Sequence, residues 1–187
     1  PSRPLVAQES EEEGCKELDP MLLCDGFCPG RGSIPCSKQQ VPLLMLPEVE
    51  LMRTNRGDRG VRLKSRVRKD QIIMTYAGLV CSSAEGRHRH RLACQRGQKS
   101  YVLQLTADLA VDASTIGSMA RFANHRCANA TARMATLWIQ GPRWEPISAL
   151  IANRDLLPDE EVTYRYNGDQ QQSFECDCGE DGCISNR

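Results

Sequence analysis

Hydrophobic and polar positions alternate in short runs through residues 48–164, and few stretches repeat at helical spacing. Glu48-Val49-Glu50-Leu51-Met52 alternates and then meets Asn55-Arg56-Gly57, which predicts a strand closed by a turn. Gly60-Val61-Arg62-Leu63 predicts a second strand, and Gln71-Ile72-Ile73-Met74-Thr75-Tyr76 a third, ahead of Ala77-Gly78. Tyr101 to Leu105, Ala110 to Ala113, Ile147 to Ala152 and Glu161 to Tyr164 predict four more. Ser82-Ser83-Ala84-Glu85 has the spacing of a capping box, so a helix is expected to start there, against the preference of Gly86. Many short strands with little helical pattern predict a mostly-β domain, and no internal repeat is visible.

The flanks have a different composition. Residues 1–13 are polar and acidic without periodicity, which predicts disorder, and they lack the apolar run of a secretory signal. Residues 14–40 are rich in Cys, Gly and Pro and hold too few apolar residues for a core, so a cross-link is expected. Residues 41–52 are largely apolar, but Pro42 and Pro47 break them up. No stretch approaches the roughly 18 apolar residues of a membrane span. The 187 residues suit one domain, or one domain with a small appendage.

Charge adds little in total and more in its distribution. Lys plus Arg and Asp plus Glu number 24 each. Residues 53–69 carry Arg53, Arg56, Arg59, Arg62, Lys64, Arg66, Arg68 and Lys69 against Asp58 alone, and residues 86–99 add Arg87, Arg89, Arg91, Arg96 and Lys99 with two histidines. These are either solvated faces or a basic surface for nucleic acid, an acidic partner or chromatin.

Seven of the ten cysteines fall into two clusters. Cys176, Cys178 and Cys183 form C-x-C-x4-C, three thiolates that can hold a tetrahedral zinc with one position open. Cys127, just after an Asn-His turn, is the candidate fourth ligand; free terminal thiols are the alternative. Cys15, Cys24, Cys28 and Cys36 form C-x8-C-x3-C-x7-C and would satisfy a second zinc, whose binding would supply the folding energy this segment lacks. Two disulfides are the alternative there, since the gaps match no standard finger. Cys81 and Cys94 read as ordinary small residues.

Three segments come last in the chain in a telling order. They are Arg121-Phe122-Ala123-Asn124-His125-Arg126-Cys127, then Glu160-Glu161-Val162-Thr163-Tyr164-Arg165-Tyr166, then Cys176-Asp177-Cys178-Gly179-Glu180-Asp181-Gly182-Cys183. With Arg56 to Val61, Thr75 to Val80, Ser100 to Leu103, Val111 to Ala113 and Ala152 to Leu156, they resemble the SET-domain protein lysine methyltransferases over most of residues 49–187. Residues 15–36 resemble a reduced pre-SET or AWS-type module, and the terminal triplet a post-SET zinc motif.

The resemblance implies a SET fold of small sheets with a C-terminal pseudoknot, flanked by zinc-binding segments. It divides the chain into an acidic tail (1–14), a pre-SET-like segment (15–46), the SET domain (47–170) and a post-SET motif (171–187). It implies methyl transfer from S-adenosylmethionine to a lysine of a histone or other nuclear protein, and hence a nuclear location. Tyr166 would stand at the transfer centre, and Tyr164 at the position that sets product degree, where a hydroxyl favours mono- or dimethylation. Asn124 and His125 would bind the cofactor, with Arg59, Tyr101 and Arg121 as further contacts and Phe174 over the adenine. Chromatin-complex subunits are implied partners, and the basic segment offers a surface for nucleic acid.

The chain departs from the family pattern at Arg126, Ala128-Asn129-Ala130, Leu79, Asp58-Arg59 and Arg165. A long cation at 126 is expected to crowd the pocket or repel a sulfonium. A catalytically weak SET-fold reader or scaffold is therefore the alternative function.

Overall fold

The computed structural model describes residues 46–54, 57–140 and 144–166, together with Cys176, Cys178, Glu180 and Cys183. The expectations for the acidic tail, for Cys15, Cys24, Cys28 and Cys36, and for Phe174 lie outside the described residues.

Among the described residues, ten strands form three sheets and are joined by one α-helix. β1 (Val49–Arg53) and β2 (Arg59–Leu63) form an antiparallel pair. β3 (Ile72–Tyr76) is followed by β4 (Leu79–Ser82), helix α1 (Ser83–Gln95), β5 (Val102–Gln104) and β6 (Leu109–Asp112). A 3-10 turn (Met119–Phe122) leads into β7 (Asn124–His125), β8 (Ala132–Gln140), β9 (Trp144–Ala152) and β10 (Thr163–Tyr164). The second sheet runs β4-β6-β5 and the third β3-β9-β8-β10-β7.

The predicted strands all form, with ends shifted by a few residues. β4, β7 and β8 are additional. Helix α1 starts where the capping box predicts: Ser82 is the N-cap, and its Oγ accepts the Glu85 amide at 3.2 Å. Gly86 is tolerated because the helix packs closely against the second sheet. A Cβ there would stand 2.6 Å from the Ala110 Cβ, so the close approach needs a glycine.

β10 matters most for the site. It is parallel to both its neighbours and lies between β7 and β8, although those two are consecutive in the chain. The connection from 126 to 131 must therefore cross the last strand, which gives the expected knot-like topology. Thr131 and Thr163 seal this crossing: the Thr163 amide donates to Thr131 Oγ1 at 2.8 Å, and the Thr131 amide to Thr163 Oγ1 at 3.2 Å. Both residues are buried, so these bonds satisfy groups that water cannot reach. Val61, Leu63, Ile73, Leu150, Leu156 and Val162, all fully buried, hold the sheets together around it.

Candidate active site and metal centre

β10 presents alternate side chains to opposite sides. Tyr164 and Tyr166 therefore share a side, with ring centroids 4.6 Å apart, while Arg165 between them is exposed. The Tyr166 hydroxyl donates to the Ala123 carbonyl at 2.8 Å. The Tyr166 amide donates to His125 Nδ1 at 2.9 Å, and the two rings meet edge to face at 5.1 Å. The threaded strand thus binds the Asn-His strand beside it through both backbone and side chain. Tyr164 is 4% exposed, and its hydroxyl makes no hydrogen bond among the described residues. Tyr76, at the end of β3, completes an aromatic group and donates to the Tyr101 carbonyl at 2.9 Å.

Burial, reinforced by the neighbouring phenols, pushes Tyr76, Tyr164 and Tyr166 well above the ordinary tyrosine value. All three are neutral hydroxyls at any working pH. The stability that comes from keeping them neutral is complete below about pH 10, the value of an unfolded tyrosine, and is lost as pH rises beyond it. In an alkaline titration followed by phenolate absorbance, three of the chain's four tyrosines should ionise only as the fold is lost. Ionisation of all four near pH 10, with near-ultraviolet circular dichroism unchanged, would contradict this burial.

Asn124 is fixed from below. Its Nδ2 donates to the Arg59 carbonyl at 3.1 Å and to Glu161 Oε1 at 2.8 Å, which leaves Oδ1 as the atom available to a ligand. Gly60 makes room for the arrangement, since a Cβ there would stand 2.8 Å from Glu161 Oε1. Next to it, two guanidinium groups flank one ring. Arg59 Cζ lies 4.9 Å and Arg121 Cζ 4.6 Å from the centre of Phe122, and Arg121 is also 5.6 Å from Tyr101. Arg121 donates to the Ala113 carbonyl at 2.6 Å, while its Nε is buried without a hydrogen-bond partner among the described residues. Two cations over aromatic faces, with one donor unspent, suit an anionic group such as a carboxylate.

Cys127 follows directly from β7. Its Sγ lies 3.6 Å from that of Cys176 and 3.9 Å from that of Cys183, and with Cys178 all four ligand atoms lie within 4.8 Å of one another. A zinc–sulfur bond of about 2.3 Å in tetrahedral geometry sets sulfur atoms about 3.8 Å apart. The donor set therefore fits zinc, and Cys127 is the fourth member that the sequence proposed. His125 serves this cluster from outside. Its Nδ1 accepts from Tyr166, so the neutral ring carries its proton on Nε2, 3.1 Å from Cys127 Sγ. Burial, then the nearby Arg165 cation, lowers the His125 pKa and keeps the ring neutral. A ring N–H directed at a thiolate is the outer-shell partner that metal ligands commonly have.

The expected conflict at Arg126 takes another form. Its Nε donates to Glu180 Oε1 at 2.7 Å, and the second Glu180 oxygen accepts the Ala128 amide. Glu180, only 10% exposed and set between Cys178 and Cys183, thus neutralises the cation and ties the cysteine segment to the connection after β7.

The structure thus brings Tyr164, Tyr166, Asn124 and His125 together, gathers Arg59, Tyr101 and Arg121 around Phe122, and joins Cys127 to the terminal triplet. Sequence reasoning assigned no role to Tyr76, Glu161 or Glu180. Glu180 stands in the cysteine motif but reads there as a surface acid, and Glu161 is one of two adjacent glutamates, so neither offers a local signal.

The family model for the SET domain matches residues 58–167, more than half of the chain. "Histone-lysine N-methyltransferase mes-4" of Caenorhabditis elegans is 27% identical over 183 residues, covering 91% of this chain and 20% of that protein. A "Histone-lysine N-methyltransferase, H3 lysine-36 specific" of Kluyveromyces lactis is 29% identical over 178 residues, covering 93% of this chain and 25% of that one. The "Variant-silencing SET domain-containing protein" of Plasmodium falciparum is 25% identical, covering 91% of this chain and 8% of that one. The chain spans a quarter or less of the length of these relatives. The threaded strand, the cysteine cluster fit for a post-SET zinc and the length of the family match lead to one conclusion: this chain belongs to the SET-domain family.

Proposed function

We propose that the chain is a protein-lysine N-methyltransferase that uses S-adenosylmethionine and acts on a histone in the nucleus. The observation that carries this reading is the buried tyrosine group, locked to the Asn124–His125 strand beside a four-cysteine cluster. Relatives named for H3 lysine-36 make that residue the first substrate to test. Chromatin-complex subunits are the expected partners. In this reading residues 47–170 are the SET domain and 171–187 the post-SET motif, while residues 15–46, with Cys15, Cys24, Cys28 and Cys36, form a pre-SET-like zinc segment.

When bound, S-adenosylmethionine supplies an electrophilic methyl group on a sulfonium. Asn124 Oδ1 and the His125 backbone would hold its polar portions, Arg59, Tyr101 and Arg121 would surround its carboxylate, and Phe174 would cover the adenine. The substrate lysine, with an ordinary pKa of about 10.4, must enter as the free amine. A wall of buried phenols favours that form, because an ammonium would lose its hydration there. The phenols do not take the proton, since each is held neutral. Tyr166 spends its own proton on Ala123, so its oxygen lone pairs face the amine and the positive charge that develops on transfer.

Tyr164 would govern product degree. Its hydroxyl makes no hydrogen bond among the described residues and would hold a water or the amine, which leaves less room for a second or third methyl group. Tyr164→Phe is expected to move the product from mono- and dimethyl toward trimethyl, read by mass spectrometry of a methylated peptide. An unchanged product distribution would remove Tyr164 from this role.

Calorimetric titration of S-adenosylmethionine into zinc-loaded protein, followed by methyl transfer to nucleosomes, tests the whole reading. Saturable binding and methylation of histone H3 are expected. No binding by protein that melts cooperatively would instead support the reader or scaffold. That alternative rests on the substitutions around the cofactor turn and on the basic 53–69 segment; among these, Arg126 has its charge engaged by Glu180.

A further inference from the structure

Glu161 stands two residues before β10, and the crossing fixes its backbone from two sides. Its carbonyl accepts the Thr131 hydroxyl at 3.0 Å, and it forms an isolated antiparallel bridge with Arg62. Its side chain uses the space that Gly60 leaves by lacking a Cβ. The residue is half-buried, and its Oε1 accepts from Asn124 Nδ2 at 2.8 Å. The preceding Glu160 is paired with Arg154 at 2.6 Å, but no cation pairs with Glu161 among the described residues. A carboxylate partly withdrawn from water and left without a cation is costly, and such groups gather at functional sites.

Asn124 Nδ2 serves two acceptors, Glu161 Oε1 and the Arg59 carbonyl at 3.1 Å. Only the NH2 end of an amide can do this, so the orientation of the group is set and Oδ1 is its acceptor toward the site. The carboxylate also draws on the Nδ2 hydrogens and polarises the amide, which makes Oδ1 a stronger acceptor. An acceptor with a negative charge behind it favours a cationic donor. The guanidinium groups of Arg59 and Arg121 around Phe122 form the opposite pole. Arg59 belongs to both, through its carbonyl at Asn124 and its side chain at Phe122. A negative and a positive pole side by side suit the ammonium and carboxylate of an α-amino acid.

We propose that Glu161 is a positioning residue which, through Asn124, makes the site select the α-ammonium group of the cofactor's amino-acid end. The inference rests on the proposed use of S-adenosylmethionine and adds a residue that touches no ligand itself. Glu161 acts by holding the Asn124 amide in one orientation and by setting a negative charge behind it. The same carboxylate acts on Tyr166, where burial, then the Tyr101 phenol, then Glu161 raise the pKa of the phenol. A sulfonium beside Tyr166 would also feel this charge, and the test separates the two cations.

The test is calorimetric titration of zinc-loaded protein with three ligands. They are S-adenosylmethionine, S-adenosylhomocysteine, and a deamino analogue of the latter that keeps the adenosine and the carboxylate and has hydrogen in place of the ammonium. The parent is compared with Glu161→Gln and Glu161→Ala. Gln keeps an oxygen for Asn124 and removes only the charge, whereas Ala also frees the amide. Affinity for the two amino-bearing ligands should fall together, by about fivefold in Glu161→Gln and about thirtyfold in Glu161→Ala, the span between a neutral and a charge-assisted hydrogen bond. The deamino analogue should bind the parent at least about tenfold more weakly than S-adenosylhomocysteine, and should bind all three proteins within about threefold. A merely structural role would weaken all three ligands alike. Glu161→Gln has nearly the parent's shape and carries the test should Glu161→Ala fail to melt cooperatively. Unchanged affinities in the variants, or an equal loss for the deamino analogue, would overturn the inference. So would a loss confined to S-adenosylmethionine, which would assign the charge to the sulfonium. A folded parent that binds none of the ligands would overturn the proposed cofactor and this inference with it, whereas tight binding that the variants leave unchanged would overturn the inference alone.

Discussion

Tyr166→Phe is expected to lower the methyl-transfer rate by about 100-fold or more, while the KM for S-adenosylmethionine changes less than about threefold. The hydroxyl donates to the Ala123 carbonyl at 2.8 Å, which fixes where its lone pairs point. A fixed acceptor beside the reacting nitrogen acts mainly in the transition state, where positive charge shifts toward the amine. Removing one such preorganised group from an active site costs about 10²–10³ in rate. The ring itself stays packed between Tyr164 and His125, so the pocket keeps its shape. The Ala123 carbonyl loses its hydroxyl donor next to a residue 1% exposed, which should cost about 1–2 kcal/mol of stability. Single-turnover methylation and a thermal melt separate the two effects. A variant that turns over like the parent would show that Tyr166 packs the site without taking part in transfer.

The strands were legible where polar and apolar residues alternate, as in β1 and β2, or where a short apolar run meets a turn signal, as in β3. β8 was not. Arg133, Met134 and Ala135 are each half-buried, because this strand is central in its sheet and faces different surroundings along its length. Its pattern of burial is blurred, and Ala and Arg carry little strand preference. Helix α1 was visible at its cap and nowhere else, since it buries only Ser83 and Gly86 and needs no apolar stripe. At the site, the tyrosines, Asn124, His125 and the cysteines stood out through motif order. What escaped was the support beneath them. Glu161 holds Asn124 from 37 residues away, and Glu180 reaches Arg126 from 54. Such pairs exist only because β10 threads between β7 and β8, and no local spacing encodes a thread. The same crossing changes the meaning of Arg126. Read in sequence it faces a cofactor, and in the fold it faces an acid.

Removal of the metal from the four-cysteine cluster should abolish transfer without melting the sheets. Cys127 sits at the edge of the third sheet, two residues past β7, whereas Cys176, Cys178 and Cys183 belong to the terminal segment. A zinc held by all four would fasten that segment beside the Asn-His strand, and Glu180 with Arg126 would reinforce the attachment. Four thiols alone cannot do this, because burial raises the Cys176 thiol and keeps it protonated until a cation replaces the proton. Cys183 is 2% exposed, so Cys183→Ser replaces a buried soft donor with a hard one that zinc holds poorly in such a site. The variant should contain one zinc fewer per chain than the parent and lose at least about 100-fold in methyl transfer. Its β-sheet circular dichroism should remain, since Val61, Leu63, Ile73 and Leu150 lie in a core that needs no metal. The chelator-treated parent should behave the same way and recover when zinc is restored. A Cys183→Ser protein with the parent's zinc content would place the metal elsewhere. Loss of zinc with full activity would show that the terminal segment does not shape the site. The expected result, a folded and inactive chain, would make the cluster a clamp on the active site and not a source of stability for the core.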